Sequence, residues 1–123
     1  MFLNCSNHTS KYWTEEQMAA VYAMGEDIIE DYPFPSVPAK ADEKALADLA
    51  ERVCHEILDK KPNVVMCQGE FTLTHKLVNE LIKNGIKVVA ACSERETSEK
   101  VMADGTVRKD SVYKFVRFRE YIL

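Results

Sequence analysis

Four cysteines are scattered through the chain, at Cys5, Cys54, Cys67 and Cys92, and no two form a CxxC pair. That spacing excludes zinc-ribbon and dithiol redox signatures and leaves small buried thiols as the ordinary reading. Glycine and proline number 4 each, too few for a low-complexity or linker-rich chain. No apolar run approaches the ~20 residues that a membrane-spanning helix needs. The opening "MFLNCSNHTS" lacks the basic segment and long apolar stretch of a secretory signal, so a cytoplasmic protein is expected. No internal repeat is visible, and 123 residues suit one domain over 1–123.

Positive charge is also in short supply. Lys and Arg total 16 against 20 Asp and Glu, a net charge of −4, which argues against bulk nucleic-acid binding. The two halves differ: residues 1–62 hold 6 basic and 12 acidic side chains, residues 63–123 hold 10 and 8. An anion site would draw on the second half. Two differently solvated faces would give the same imbalance.

What is present is an alternation of strand and helix signals. "MFLNC" is a short apolar strand, followed by a polar loop. Thr14 then reads as a helix N-cap with Gln17 three residues on, a capping box, and Met18, Val21, Tyr22 and Met24 supply an apolar face that Gly25 ends. "EDIIEDYPF" is a second strand, and Pro33, Pro35 and Pro38 keep the next connection extended. Asp42 caps a helix over about 43–60 whose residues Leu46, Leu49, Ala50, Val53 and Ile57 recur at three- and four-residue spacing. His55 falls off that stripe. "NVVMCQ" is a third strand, and a helix over about 72–84 buries Leu73, Leu77, Val78 and Leu81 before Asn84-Gly85 stops it. "IKVVAAC" is a fourth strand.

Asp104-Gly105 marks a hairpin turn in the tail. Strict alternation in "VYKFVRFREY" sets Val112, Lys114, Val116, Phe118 and Glu120 on one side and Tyr113, Phe115, Arg117, Arg119 and Tyr121 on the other. Both sides then mix apolar and charged groups, as at an edge or interface. The order predicts a Rossmann-like α/β fold, a parallel sheet flanked by helices and closed by a C-terminal antiparallel hairpin.

Ligands of open parallel sheets bind beyond the carboxyl ends of the strands. There the sequence delivers "CSNH", "CQGEFT" and "CSER", so Ser6, Asn7, His8, Gly69, Glu70, Thr72, Ser93, Glu94 and Arg95 are expected to converge. Two readings of Gly69–Thr72 stand: a tight strand-to-helix connection with Thr72 as N-cap, or a helix start whose free amides hold a phosphate. Glu70 suits the second only if it orients a hydroxyl or pairs with a cation such as Arg95. His8 lies in a polar loop, where an imidazole either moves a proton near neutral pH or merely packs. His75, in the first turn of its helix, is either on the same rim or on the surface. No Ser-His-Asp or Cys-His order emerges, and no metal-ligand spacing or cofactor fingerprint is present.

"FLNCSNH" at the start, "QGEFTLT" after the third strand, "AACSERE" after the fourth and the ending "FVRFREY" together resemble the small single-domain CRISPR-associated proteins with a CARF-like, Rossmann-type fold. Several of those are ring nucleases that degrade cyclic oligoadenylate second messengers. The resemblance implies a homodimer with a two-fold-symmetric ligand across two copies of the strand-end loops, and cleavage without a metal. It implies proton transfer or phosphate contact for His8 and charge stabilisation for Arg95. The ligand contacts would be Ser6, Asn7, Gly69, Glu70, Thr72, Ser93 and Glu94, with the Gly69–Thr72 amides holding a phosphate. Glu70 and Glu94 would read ligand donors, such as adenine amino groups or 2′-hydroxyls. A non-catalytic sensor of the same ligand is the first alternative. An unrelated Rossmann-like protein binding a mononucleotide or small metabolite is the second.

Overall fold

Strand β1 (Phe2–Cys5) alternates its side chains between two apolar layers, and the rest of the chain is arranged around it. The computed structural model describes residues 1–123. After β1 come a short 3₁₀ turn (Ser10–Tyr12), helix α1 (Glu15–Ala23), strand β2 (Ile29–Asp31), helix α2 (Glu43–Asp59), strand β3 (Val64–Cys67), helix α3 (Phe71–Lys83) and strands β4 (Lys87–Val101) and β5 (Val107–Glu120). The five strands form one mixed sheet in the order β2-β1-β3-β4-β5. The first four are parallel, and β5 returns antiparallel along β4. No helix is long and apolar enough to cross a membrane.

Local chemistry sets the helix ends. The Thr14 hydroxyl accepts from the Gln17 amide and the Asp42 carboxylate from the Ala45 amide, each supplying one orphan donor with its acceptor. Gly25 and Gly85 end α1 and α3 at φ +88° and +80°, which a side chain would resist. Leu3, Cys5, Val65, Cys67 and Val88 face α2 and α3, whose buried stripes include Val53, Ile57, Leu73, Leu77 and Leu81. Phe2, Val64, Met66 and Val89 face the other way, toward Trp13 and Val21. Helix α1 buries Gln17 and Val21, whereas Tyr22, expected on its apolar face, is exposed.

Two features depart from the pattern expected of the tail. Strand β4 does not end at Cys92: it continues to Val101, paired with β5 throughout, while β3 accompanies it only from Lys87 to Val89. Beyond the sheet the pair forms a two-stranded arm, in which every residue from Ser93 to Lys109 is exposed. At ~3.3 Å per residue the arm extends about 30 Å. Second, β5 is not regular. A bulge opposite Cys92/Ser93 sets Phe115 against Ser93 and Arg117 against Cys92, leaving Val116 unpaired. Phe115 and Phe118 therefore share a face, packed against each other at 5.0 Å between ring centroids, with Phe118 also 5.2 Å from Phe2.

Candidate functional site

Helix α1 follows β1 onto one face of the sheet, and α3 follows β3 onto the other. The loops leaving these two neighbouring strands diverge, and a crevice opens beyond their carboxyl ends. Helix α1 has only 9 residues, about 13 Å at 1.5 Å per residue, and so leaves part of its face uncovered. The result is a groove of about 600 Å³. Met66, Ala91 and Phe115 form its floor; Ser6, Asn7, His8 and Tyr12 form one wall, with Thr14 and Gln17 beside them. Gln68, Gly69, Ser93 and Tyr113 complete the rim.

The wall is held from beneath by a residue whose type stands out in "FLNC". Asn4 is fully buried, and its amide donates to the His8 carbonyl at 2.8 Å and to the Asp31 carboxylate at 2.9 Å. Its own carbonyl oxygen accepts from the Ser6 hydroxyl at 2.6 Å. Asp31, at the end of β2, also accepts from the Ser10 amide at 3.1 Å and hydroxyl at 3.0 Å. The indole of Trp13 adds a donor to the same His8 carbonyl at 3.1 Å. The loop is thus fixed through its backbone, and the exposed His8 imidazole is left at the groove.

The opposite rim depends on a side chain imitating a strand. Where β3 stops, the Gln68 amide oxygen accepts from the Ala91 amide at 2.7 Å and its nitrogen donates to the Ala91 carbonyl at 3.4 Å. Gly69 follows for a steric reason: a Cβ there would lie 2.3 Å from the Phe34 ring. That close approach leaves no room for a side chain at this position.

Of the nine residues expected to converge, Ser6, Asn7, His8, Gly69 and Ser93 do so. The other four are displaced. Glu70, not Thr72, is the N-cap of α3: its carboxylate accepts from the Thr72 and Leu73 amides at 2.9 and 2.8 Å and from the Thr72 hydroxyl. These donors hold its carboxyl below the usual carboxylate range. The helix start proposed to cradle a phosphate is therefore already occupied by the chain's own anion. Glu70 and Thr72 line a different hollow, with Val37 and Leu46. Glu94 and Arg95 are not loop residues at all, since both lie in β4 on the arm, opposite Lys114 and Tyr113. The Arg95 guanidinium donates to the Ser111 hydroxyl at 2.9 and 3.1 Å. His75 is on the exposed surface of α3, beside Asn79.

Asn4, Asp31, Tyr12, Gln17, Gln68, Tyr113 and Phe115 escaped sequence reasoning. Asn4 carried a signal, a lone amide among four buried strand residues, and Gln68 another, a polar residue directly after an apolar run. Asp31 and Tyr113 carried none, because their roles depend on strands that meet only in the fold. The finished groove contains no Asp, Glu, Lys or Arg; the Lys11 ammonium lies over the Tyr12 ring, 4.9 Å from its centroid.

The family model described as "Uncharacterized protein MJ1673 family" matches residues 1–119. The chain belongs to that family. The matched span contains the groove, the capped start of α3 and the whole arm. No curated protein and no solved structure matches the chain.

Proposed function

We propose that the protein is a CRISPR-associated, cytoplasmic protein with a Rossmann-like, CARF-type domain, which binds a cyclic oligoadenylate in this groove and linearises it without a metal ion. The observation that carries the reading is the groove's position and lining together. It lies where the connections after β1 and β3 diverge, and it combines aromatic rings, hydroxyls, amides and one imidazole with no carboxylate. Tyr12 and Tyr113 offer faces for adenine, a stacking contact worth about 1–3 kcal/mol per base. Removal of Glu70 and Glu94 from the pocket also removes the repulsion they would exert on a phosphodiester.

In this reading the ribose 2′-hydroxyl attacks the adjacent phosphorus and the bond to the 5′-oxygen breaks. The products are a 2′,3′-cyclic phosphate and a 5′-hydroxyl. The nucleophile and leaving group both belong to the ligand, so the protein's work is in-line positioning and proton transfer. His8 takes the proton from the 2′-hydroxyl or delivers one to the 5′-oxygen. Asn7 and Ser93 donate to the phosphate oxygens as charge builds on them. Ser6 is a positioning residue, because its hydroxyl is committed to Asn4. Arg95 has no such role within one chain. The assembly is a homodimer.

The test is incubation with labelled cyclic tetra- and hexa-adenylate in the presence of EDTA. Linear products ending in 2′,3′-cyclic phosphate support the reading. Binding without turnover would reduce the protein to a sensor, and no binding at all would favour an unrelated small-metabolite protein.

A further inference from the structure

The arm is an unusual place for hydrogen-bonding capacity. A two-stranded ribbon exposed on both faces is marginal by itself in water, yet this one carries exposed Val101, Val107, Val112 and Tyr113. The outer edge of β5 pairs with no strand along its whole length and contains no proline to blunt it. We infer that residues 109–115 of β5 pair antiparallel with the same residues of a second copy, about a two-fold axis at Val112, and that the partner's Lys109 completes the groove. The interface rests on the homodimer of the proposed function, and the role of Lys109 rests on its anionic ligand as well.

Within the arm, which ends short of the bulge at Val116, charge selects the register. A two-fold axis perpendicular to the sheet sets one residue against its own copy, so the registers are few. Centring on Asp110 or Lys114 opposes identical charges. Centring on Ser111 sets Arg108 against Lys114, and centring on Tyr113 sets Lys109 against Arg117. Centring on Val112 pairs Asp110 with Lys114 twice, covers the two exposed valines with each other, and sets Ser111 beside Tyr113. No like charges meet between 109 and 115. The intramolecular partners this disturbs are weak: the Arg108–Asp110 and Lys109–Glu99 pairs are solvent-exposed at 3.1 and 3.7 Å.

The same register sets Lys109 opposite Phe115, and directly opposed residues of an antiparallel pair share a face. Phe115 is the groove's floor and Tyr113 its rim. The partner's Lys109 therefore reaches the groove, whose own lining has no cation. A site for an anionic ligand would be incomplete in the monomer.

Three measurements test this on the full chain. Sedimentation should give a dimer whose dissociation constant rises about tenfold or more in Asp110→Lys or in Lys114→Asp, since each opposes like charges twice. The double variant, with the charges exchanged, should regain much of the loss. For a readout that survives a destabilised arm, Val112→Cys in a Cys92→Ser background should form an intermolecular disulfide in air. Self-opposed residues lie about 4.5–5.5 Å apart between Cα atoms, within disulfide reach. Tyr113→Cys, off the axis, should cross-link poorly. A monomeric wild type, or Tyr113→Cys cross-linking as well as Val112→Cys, overturns the proposal. Finally, Lys109→Gln should weaken cyclic tetra-adenylate binding while leaving the dimer intact; unchanged affinity removes Lys109 from the site. Cross-linking at position 112 without oligoadenylate binding would leave the interface standing and discard the ligand.

Discussion

Asn4 donates to the backbone carbonyl of His8 at 2.8 Å from a position in β1 with no solvent exposure. A buried strand amide thereby sets where an exposed loop presents its imidazole. The arrangement explains why an asparagine sits where a valine would pack more cheaply.

Replacing Asn4 by Leu should cost about 1–3 kcal/mol, because the Ser6 hydroxyl loses its acceptor and the Asp31 carboxylate one donor. Urea melts measure the loss. Amide exchange should also quicken through Ser6–Ser10. Wild-type stability in the variant would mean that Trp13 and Ser10 hold the loop without Asn4.

Gly69→Ala introduces a methyl group into the space of the Phe34 ring. Overpacking of this kind costs about 1–3 kcal/mol, and thermal melting should show it. Trimming the ring in Phe34→Leu should recover part of the loss in the double variant, by an amount a double-mutant cycle reads out. Additive losses would mean the two residues do not meet.

Much of this architecture was legible. The caps Thr14 and Asp42, the stops Gly25 and Gly85, the buried stripe of α3 and the Asp104-Gly105 turn all follow local rules that need no tertiary knowledge. The arm was not. Its strands alternate Ser, Glu, Arg, Thr and Lys without an apolar phase, because both faces are solvated and a period-2 signal requires one buried face. The bulge at Val116 shifted the phase of Phe115 relative to Phe118, so strict alternation misassigned them. Glutamate is not among the strong N-cap residues, so the sequence alone does not mark Glu70 as a cap; only the folded turn brings its carboxylate back onto the Thr72 and Leu73 amides. The contact between Asn4 and Asp31 spans 27 residues, beyond any local pattern.

Glu70 gives a pH-dependent prediction. Its folded-state carboxyl is shifted downward by the hydrogen bonds it accepts, so its contribution is present above the unfolded value and lost as pH falls through the folded one. Glu70→Gln should melt at a lower temperature than wild type at pH 7. The gap should narrow as pH drops below about 4, the ordinary glutamate range. A gap independent of pH would mean that charge at the cap contributes nothing.

His8→Ala separates chemistry from recognition. General acid–base groups contribute about 10²–10⁴-fold to rate, so cleavage of cyclic tetra-adenylate should fall by about 100-fold or more. Its dissociation constant should change by less than about threefold, or under 1 kcal/mol. Equal losses in rate and affinity would make His8 a ligand contact only.

The most direct measurement of the central claim is a map of backbone amide shifts as cyclic tetra-adenylate is titrated into the protein. Perturbations should concentrate at Asn7, His8, Tyr12, Gln68, Gly69, Ser93, Tyr113 and Phe115, residues that border one groove. Shifts centred on the Asp42–Leu46 and Thr72 hollow, or none at saturating ligand, would contradict it.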